Sequence, residues 1–449
     1  MTKAITARQI KMFLFFSYLI VLAFLAWYDQ PLSTAARNLM QRPEGVVAEQ
    51  DNAYYYLIGL HFPATSDPAV EGRAVVEWYR TTLLRDKQFS DFYQYPPEYE
   101  KRRSALRVKE VVPSFHEGDK NGKLLEYVAQ NPQKMSELLR TNELLLSRYR
   151  TLLTFRQYQE PLELGIWMPL PSSTATLELH RLYLMSLGQQ AEQGNLAAAV
   201  NGVKQVTEFW LALATSDTSL MMKFHAFSAL RSSLNLAAEL ASHPSIRPEQ
   251  RQTLAQVLQF DTNRLQAVDV LRSEVIWAER TTATFRMLAG NSYNPVNWLL
   301  LAWLKPNTMM NHLHTQYLHD SQLANLSAPA LVDHLQKHGV IDPIQVRKLD
   351  LPFIYSPLGE AQTVKSYSLQ YTGYARRVHD LEGIRRLALV KLLANEKRIT
   401  PTSIPAFLAT AGSELYSPYT GKPMTWNNQR KTIGFTSPGT DKPVEMRLL

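Results

Sequence analysis

The chain has 449 residues, with 48 Lys and Arg against 40 Asp and Glu, 45% hydrophobic residues and only 18 glycines. This length and composition are those of a folded protein with a sizeable core, and the low glycine content favours helices over turn-rich β structure. The sequence contains no cysteine, which excludes disulfides, Cys-ligated metal centres, a thiol nucleophile and a lipoprotein anchor.

The N-terminal residues combine a basic stretch with an apolar segment. Residues 1–11 contain three cations, and residues 12–28 follow without a charge. As a helix, residues 12–28 would be about 26 Å long, close to the ~27–30 Å of a thin bilayer core. Trp27 and Tyr28 end the segment, as aromatic residues do at a membrane interface. The sequence therefore predicts a transmembrane signal-anchor over residues 12–28.

Two alternatives for residues 12–28 stay open. A cleaved signal peptide would have a shorter apolar region and a small-residue cleavage site, for which residues 33–35 are the nearest match. A buried core helix would usually carry a polar face. With an anchor, the positive residues 1–11 predict a cytoplasmic stub, and the bulk of the chain would be periplasmic in a single-pass inner-membrane protein. The absence of cysteine agrees with an oxidising compartment.

The remainder of the chain is predicted to be mainly α-helical in three regions. These are a membrane-proximal α-rich region at 29–165, a helical body at 166–398 and a Pro/Gly-rich β element at 399–449. Residues 187–199 place a Gly-Asn turn between two Leu- and Ala-rich segments, which resembles one helical hairpin of a tetratricopeptide array. We therefore expect a body of helical hairpins, arranged as a solenoid or a bundle.

Local signals predict several boundaries within the helical body. A helix is expected from Asp217 to about Pro244, and a long helix is expected from Arg247 to Asn291. A further helical stretch is predicted over residues 356–395. The short apolar run at 298–304 is interpreted as a buried helical turn, with a membrane-dipping or partner-binding patch as the alternative.

Two β-like runs in the tail, at 423–426 and 432–435, predict a hairpin around a pair of asparagines. The tail also contains SPYTGKPM at 417–424, then Trp426, and GFTSPGTD at 434–441. This pattern resembles the terminal β element of pseudopilin-like and related membrane-anchored proteins of Gram-negative bacteria. Ser417 stands where that pattern has an aspartate, so the calcium site of the major pseudopilins is not expected.

Histidine provides the clustering that comes nearest to a metal site. His312, His314 and His319 lie within eight residues, and His334 and His338 are spaced i, i+4, which puts them on one helix face. The residue after His334 is not the glutamate that a zincin requires. Surface or capping histidines are therefore the preferred interpretation, metal binding is left open, and no cofactor is predicted.

Catalytic signatures are missing from the sequence. It has no nucleophile elbow, S-x-x-K, Walker A or G-x-G-x-x-G motif, and its 40 acids offer too many pairs to assign a glycosidase. The basic clusters at 101–103, 376–377 and 385–386 lie among acids and predict solvated faces, so nucleic acid is not an expected partner.

These observations predict a non-catalytic, membrane-tethered periplasmic scaffold. It would be a protein-interaction subunit of an envelope assembly of the secretion or pilus type, with the inner membrane and an envelope protein as partners. One alternative is an anchored periplasmic hydrolase that acts on cell wall or glycan. The other is a tethered chaperone for an exported protein. A small-molecule ligand is left open.

Overall fold

The computed structural model describes residues 7–41, 46–85, 97–103, 105–110, 112–113, 115, 123–216, 218–265, 269–290, 305–338, 368–440 and 443–448. This part of the chain is mainly helical, as predicted. Its α-helices are α1 (Ala7–Trp27), α2 (Thr34–Leu39), α3 (Ala53–Gly59), α4 (Pro68–Arg85), α5 (Pro97–Arg102), α6 (Leu124–Gln130), α7 (Pro132–Thr141), α8 (Glu143–Leu152), α9 (Ser173–Glu192), α10 (Leu196–Thr215), α11 (Leu220–Leu240), α12 (Pro248–Val257), α13 (Asp269–Gly290), α14 (Pro306–Ala324), α15 (Ala328–His338), α16 (Ser368–Glu396) and α17 (Ile404–Thr410). The strands are β1 (Thr425–Asn427), β2 (Thr432–Thr436) and β3 (Pro443–Arg447).

Helices α9, α10 and α11 form the centre of one large hydrophobic cluster, to which residues from the N-terminal region through to the tail contribute. The predicted helical hairpin at 187–199 is confirmed, because α9 and α10 are joined by a tight turn and pack on each other. Gly194 occupies that turn with φ of 87°, a conformation that favours glycine. Trp210 of α10 is fully buried and donates its indole N–H to the Tyr149 hydroxyl at 2.9 Å.

The predicted transmembrane segment is wrong. Helix α1 begins with a polar, basic turn at Ala7–Lys11, so its uninterrupted apolar part is residues 12–27. These are about 16 residues and ~24 Å of helix, short of the ~20 residues and ~30 Å that a bilayer core requires. Within the described residues, no helix combines the length and the apolar character needed to cross a membrane. The prediction of a single-pass inner-membrane protein is corrected accordingly, and the periplasmic location that was inferred from the anchor loses its basis.

The segment after α1 is held to the helical body by a helix cap. The Asp29 carboxylate accepts the backbone N–H groups of Asn307 at 2.8 Å and of Thr308 at 3.0 Å, and also the Thr308 hydroxyl at 2.8 Å. It thereby satisfies donors that the start of α14 leaves without an intrahelical partner, and its charge is favourable at that end of the helix dipole. Residues that follow α1 are thus fixed to an element nearly 280 residues away in sequence.

The single long helix expected from Arg247 to Asn291 is divided in the structure. Helix α12 ends at Val257, and α13 begins only at Asp269. The Asp261 side chain accepts the backbone N–H of Asn263 at 2.9 Å, a local bond that competes with helix formation. Residues 298–304 lie outside the described part of the chain, as do residues 356–367 of the predicted 356–395 helix.

The tail forms a three-stranded antiparallel sheet in the order β1-β2-β3. The predicted hairpin is confirmed as β1 and β2, whereas β3 was not predicted. Residues 443–447 begin with proline and contain only two apolar side chains, a weak strand signal that pairing with β2 overrides. Arg447 of β3 forms an ion pair with Glu126 of α6 at 2.6 Å, which connects the sheet to the helical body.

Arg148 of α8 organises the loop that follows α3. Its guanidinium is buried and donates to four backbone carbonyls, those of Leu60 (3.0 Å), Phe62 (2.7 Å), Pro63 (2.8 Å) and Ser66 (2.7 Å). These carbonyls lie at the carboxyl end of α3 and beyond it, where backbone acceptors have no helical partner. One side chain therefore hydrogen-bonds four carbonyls of the loop and helps to determine its path between α3 and α4.

Replacement of Arg148 by methionine is expected to lower the free energy of unfolding by roughly 3 kcal/mol or more, because two buried and two partly buried carbonyls would lose this donor together. The measurement is urea denaturation followed by circular dichroism. Arg150→Met on the same helix is the matched control. Arg150 is exposed and ion-paired with Glu143 at 2.7 Å. Its replacement should therefore lower the free energy of unfolding by less than about 1 kcal/mol. Equal effects of the two variants would contradict the proposed role of Arg148.

Candidate binding cavity

A cavity of about 460 Å³ lies where the end of α3, the residues that follow α5 and the start of α9 meet. Apolar and polar side chains share its walls. The apolar residues that line it are Leu57, Ile58, Phe62, Leu106, Leu170 and Ala175. The polar residues that line it are His61, Arg103, Arg107, Ser172, Thr174 and Glu178.

The apolar wall follows from the way α3 is buried. Asn52 caps this helix by accepting the backbone N–H of Tyr54 at 3.0 Å, and every residue of α3 is buried. Gly59 allows α3 to approach α4, because a Cβ there would lie 2.0 Å from the carbonyl oxygen of Pro68. The chain then enters the loop held by Arg148, which places Phe62 and its neighbour His61 on the cavity wall.

His61 is paired with Leu106 in both directions. The backbone N–H of Leu106 donates to the His61 carbonyl at 2.9 Å, and His61 Nδ1 lies 3.1 Å from the Leu106 carbonyl oxygen. Because a carbonyl only accepts, Nδ1 carries the proton and Nε2 presents a lone pair. Nε2 is buried, and it has no hydrogen-bond partner among the described residues.

The environment keeps this imidazole neutral. Burial lowers the pKa of His61 to about 4, and the nearby cations Arg148 and Arg107 act in the same direction, partly opposed by the hydrogen bond to Leu106. A neutral ring with a proton on Nδ1 has a fixed acceptor at Nε2 over the whole range around neutral pH. His61 therefore contributes no charge to the lining of the cavity, and its buried Nε2 has almost no accessible surface.

Another part of the cavity lining is electropositive. Arg103 and Arg107 follow α5 and are exposed, and Ser172 is the N-cap of α9. The Ser172 side chain makes no capping hydrogen bond, so it satisfies none of the first backbone N–H groups of this 20-residue helix. Such N–H groups and the positive end of the helix dipole favour a negative charge.

Glu178, one and a half turns into α9, is half-buried and contributes a negative charge to the same wall. The described side chains that line the cavity thus carry two positive charges and one negative charge, because His61 is neutral. The walls combine cationic side chains with an apolar surface. Such a combination can orient a ligand that has an anionic group and an apolar group.

The histidines singled out in the sequence lie elsewhere. His312, His314 and His319 are on α14. His334 and His338 lie on one face of α15, as their spacing predicts, with ring centroids 4.6 Å apart. Among the residues that the structure describes, no group of three or more His, Asp or Glu side chains is arranged to hold a metal ion. His61, which lines the cavity, belongs to no motif or spacing pattern that would have marked it in the sequence.

Two carboxylates that the sequence did not distinguish meet at the start of α11. Glu160 is 1% exposed and accepts the backbone N–H of Ser219 at 2.6 Å, the Ser219 hydroxyl at 2.9 Å and the Tyr158 hydroxyl at 3.1 Å. Glu274 accepts the backbone N–H of Leu220 at 2.7 Å. Their lone pairs are engaged in capping a helix, which favours a structural role over acid–base catalysis.

Glu274→Gln is expected to change how stability depends on pH. Burial, with Glu160 nearby, raises the pKa of Glu274 to about 7. A carboxyl whose pKa is raised on folding stabilises the protein fully below its ordinary value of 4.5, and this stabilisation is lost as pH rises through 7. The free energy of unfolding of the variant, relative to that of wild type, should therefore increase by roughly 2–3 kcal/mol from pH 4.5 to pH 8, as measured by urea unfolding. Glu279→Gln, on the same helix and paired with Arg280 at 3.1 Å, is the control. A constant difference between the Glu274 variant and wild type would refute the prediction.

Known proteins provide no relative with which this cavity can be compared. No family model, no curated protein and no solved structure matches the chain. The resemblance of residues 417–441 to the pseudopilin-like β element therefore stays a prediction from the sequence.

Proposed function

We propose that the chain is a non-catalytic binding protein, an interaction subunit whose helical body holds a negatively charged ligand in the cavity between α3 and α9. One observation carries this proposal: Arg103, Arg107 and the N-terminus of α9, whose N-cap side chain makes no capping bond, line the same cavity as an apolar wall. Guanidinium groups and helix N-termini are the usual protein partners of carboxylate and phosphate groups.

The size of the cavity supports a ligand and not only solvent. Its volume of about 460 Å³ lies within the ~300–1,000 Å³ typical of small-molecule sites. Its apolar residues offer surface that water solvates poorly, and displacement of that water favours binding of an apolar group. The exposed arginines would attract an anion before contact, and this attraction should weaken as salt concentration rises.

The surroundings of the titratable groups support binding over catalysis. His180 is fully buried, with Nδ1 bound to the Tyr149 hydroxyl at 2.8 Å and Nε2 3.1 Å from the Ala229 carbonyl oxygen. Glu160 and Glu274 cap α11, as described above. Nothing in the described residues specifically favours the hydrolase hypothesis. The proposal keeps the predicted interaction role and omits the membrane tether and the periplasmic location.

Charge reversal at Arg107 provides the test. For the anionic apolar probe 1-anilinonaphthalene-8-sulfonate, Arg107→Glu is expected to weaken binding at the cavity about tenfold, since a charge-assisted contact is lost and a repulsive charge is added. Fluorescence titration at two salt concentrations measures the effect, and the wild-type affinity should fall at the higher one.

Two further variants complete the titration. Arg430→Glu makes the same change in charge at an exposed position of the tail and should leave the affinity unaltered. Glu178→Gln removes the negative charge from the cavity wall and should strengthen binding by a few-fold. Equal losses in the Arg107 and Arg430 variants would show that the probe does not bind through this cavity, and would overturn the proposal.

A further inference from the structure

We infer that the groove between α11 and α16 is a second binding site, which receives a peptide segment of a partner protein that carries an acidic side chain close to an apolar one. The groove has a volume of about 460 Å³. None of the described residues that line it also lines the cavity between α3 and α9, so the inference goes beyond the proposed function and does not depend on it. Its basis is the shape of the groove, one exposed guanidinium and the charge balance of the lining.

Two helix faces form the walls of the groove, since each helix contributes side chains from successive turns. These side chains are Met221, Phe224 and Ser228 on α11, and Arg377, Leu381 and Ile384 on α16. Each set spans seven positions, which is about 10 Å of helix. Met221, Ser228 and Arg377 are exposed, so the rim of the groove is open to solvent. An open groove between two helices can receive one face of a peptide that continues beyond it at both ends.

The exposed guanidinium of the groove is that of Arg377. Its Cζ lies 3.8 Å from the centre of the Phe224 ring, so the guanidinium rests directly against the aromatic side chain. Within the described part of the chain, Arg377 has no hydrogen bond and no ion pair. The N–H donors on the sides away from the ring are therefore available to a ligand, in the planar arrangement that matches a carboxylate. Contact with the ring also limits the freedom that Arg377 would lose on binding.

The other charged groups of the lining do not neutralise Arg377. Asp380 accepts the Tyr419 hydroxyl at 2.8 Å, and the nearby charge of Arg231 stabilises its carboxylate. Burial, together with the charge of Arg377, lowers the pKa of His225 below its usual 6.5, so this ring is uncharged at neutral pH. The described side chains that line the groove thus carry two positive charges and one negative charge. An acidic group of the partner complements this balance.

An accessible apolar surface adjoins this cation. Met221 is 36% exposed, and Phe224 is partly exposed, so a ligand can touch both side chains. Because Phe224 also supports the guanidinium of Arg377, the apolar and the anionic group of the ligand must lie close together. In a helical peptide, an Asp or Glu three or four positions from a large apolar residue meets this requirement. The unbranched, polarisable side chain of a methionine adapts to apolar groups of different shapes, which suits a peptide surface.

Phage display of a random 12-residue peptide library on the immobilised full chain tests the inference. We expect the enriched peptides to share an Asp or Glu that lies three or four positions from a large apolar residue. The strongest binder is then synthesised with this acid, with Gln and with Lys in its place, and fluorescence anisotropy gives the three affinities. The Gln version should bind wild type about tenfold more weakly than the acidic version. Failure to enrich any peptide, or equal affinities of these two versions, would overturn the inference.

The Arg377→Glu variant shows whether this guanidinium binds the acid. The acidic peptide should lose at least tenfold in affinity for the variant, and the Lys version should bind the variant more tightly than the acidic version does. Arg140→Glu makes the same change in charge at an exposed position of α7 and should leave all three affinities unaltered. A misfolded variant cannot produce a reversed preference, so the reversal is independent of stability. An unchanged order of the three affinities in the Arg377 variant would contradict the assignment.

A final arm separates this groove from the cavity between α3 and α9 and from a second copy of the chain. Peptide binding that Arg107→Glu weakens and Arg377→Glu does not would place the peptide in that cavity and overturn the inference, while the proposed function stands. Peptide binding that only Arg377→Glu weakens supports the inference, even if Arg107→Glu has no effect on the sulfonate probe and the proposed function fails. Sedimentation velocity of the full chain tests the remaining occupant. Self-association that Arg377→Glu abolishes would assign the groove to a second copy and overturn the inference.

Discussion

The geometry of the cavity depends on the interaction between Arg148 and the loop after α3. A single buried guanidinium donates to four carbonyls between Leu60 and Ser66. These carbonyls lie at the end of α3 and beyond it, where the helix itself supplies no donors, and burial of those of Leu60 and Phe62 would be unfavourable without a side chain to bond them. With the loop held in this way, His61 is hydrogen-bonded to Leu106 in the segment after α5, and the loop forms part of the cavity lining.

Side chains from distant parts of the sequence also bond free backbone groups at other helix ends. Asp29 caps the start of α14, Glu160 and Glu274 cap the start of α11, and Glu239 accepts the backbone N–H of Leu125 at 2.9 Å at the start of α6. In each case an acidic side chain from a distant part of the sequence occupies the positive end of a helix. The N-cap side chain of α9 likewise makes no capping bond, and this helix end lines the cavity together with Arg103 and Arg107. We assign ligand binding to α9 because of that position.

The sequence predicted local structure well where neighbouring residues decide it. The turn at Gly194 between α9 and α10 follows from residues within a few positions of each other, and so does the β1–β2 hairpin around residues 427–428. The apolar run at 12–28 was interpreted as a membrane span because its composition and basic prefix fitted one. The helix boundaries decide otherwise, since the apolar part within α1 is too short.

The sequence by itself determined that this chain is mainly helical and that its tail contains β structure. It also determined the position of the turn between α9 and α10. Only the tertiary structure decided which polar side chains meet. His61, Leu106 and Glu178 are separated by dozens of residues, so no periodicity or motif spacing relates them, and the tautomer of His61 depends on a carbonyl brought to it by folding. Local propensity acts over one or two turns of chain, whereas burial, hydrogen-bond pairing and charge balance are properties of the assembled core.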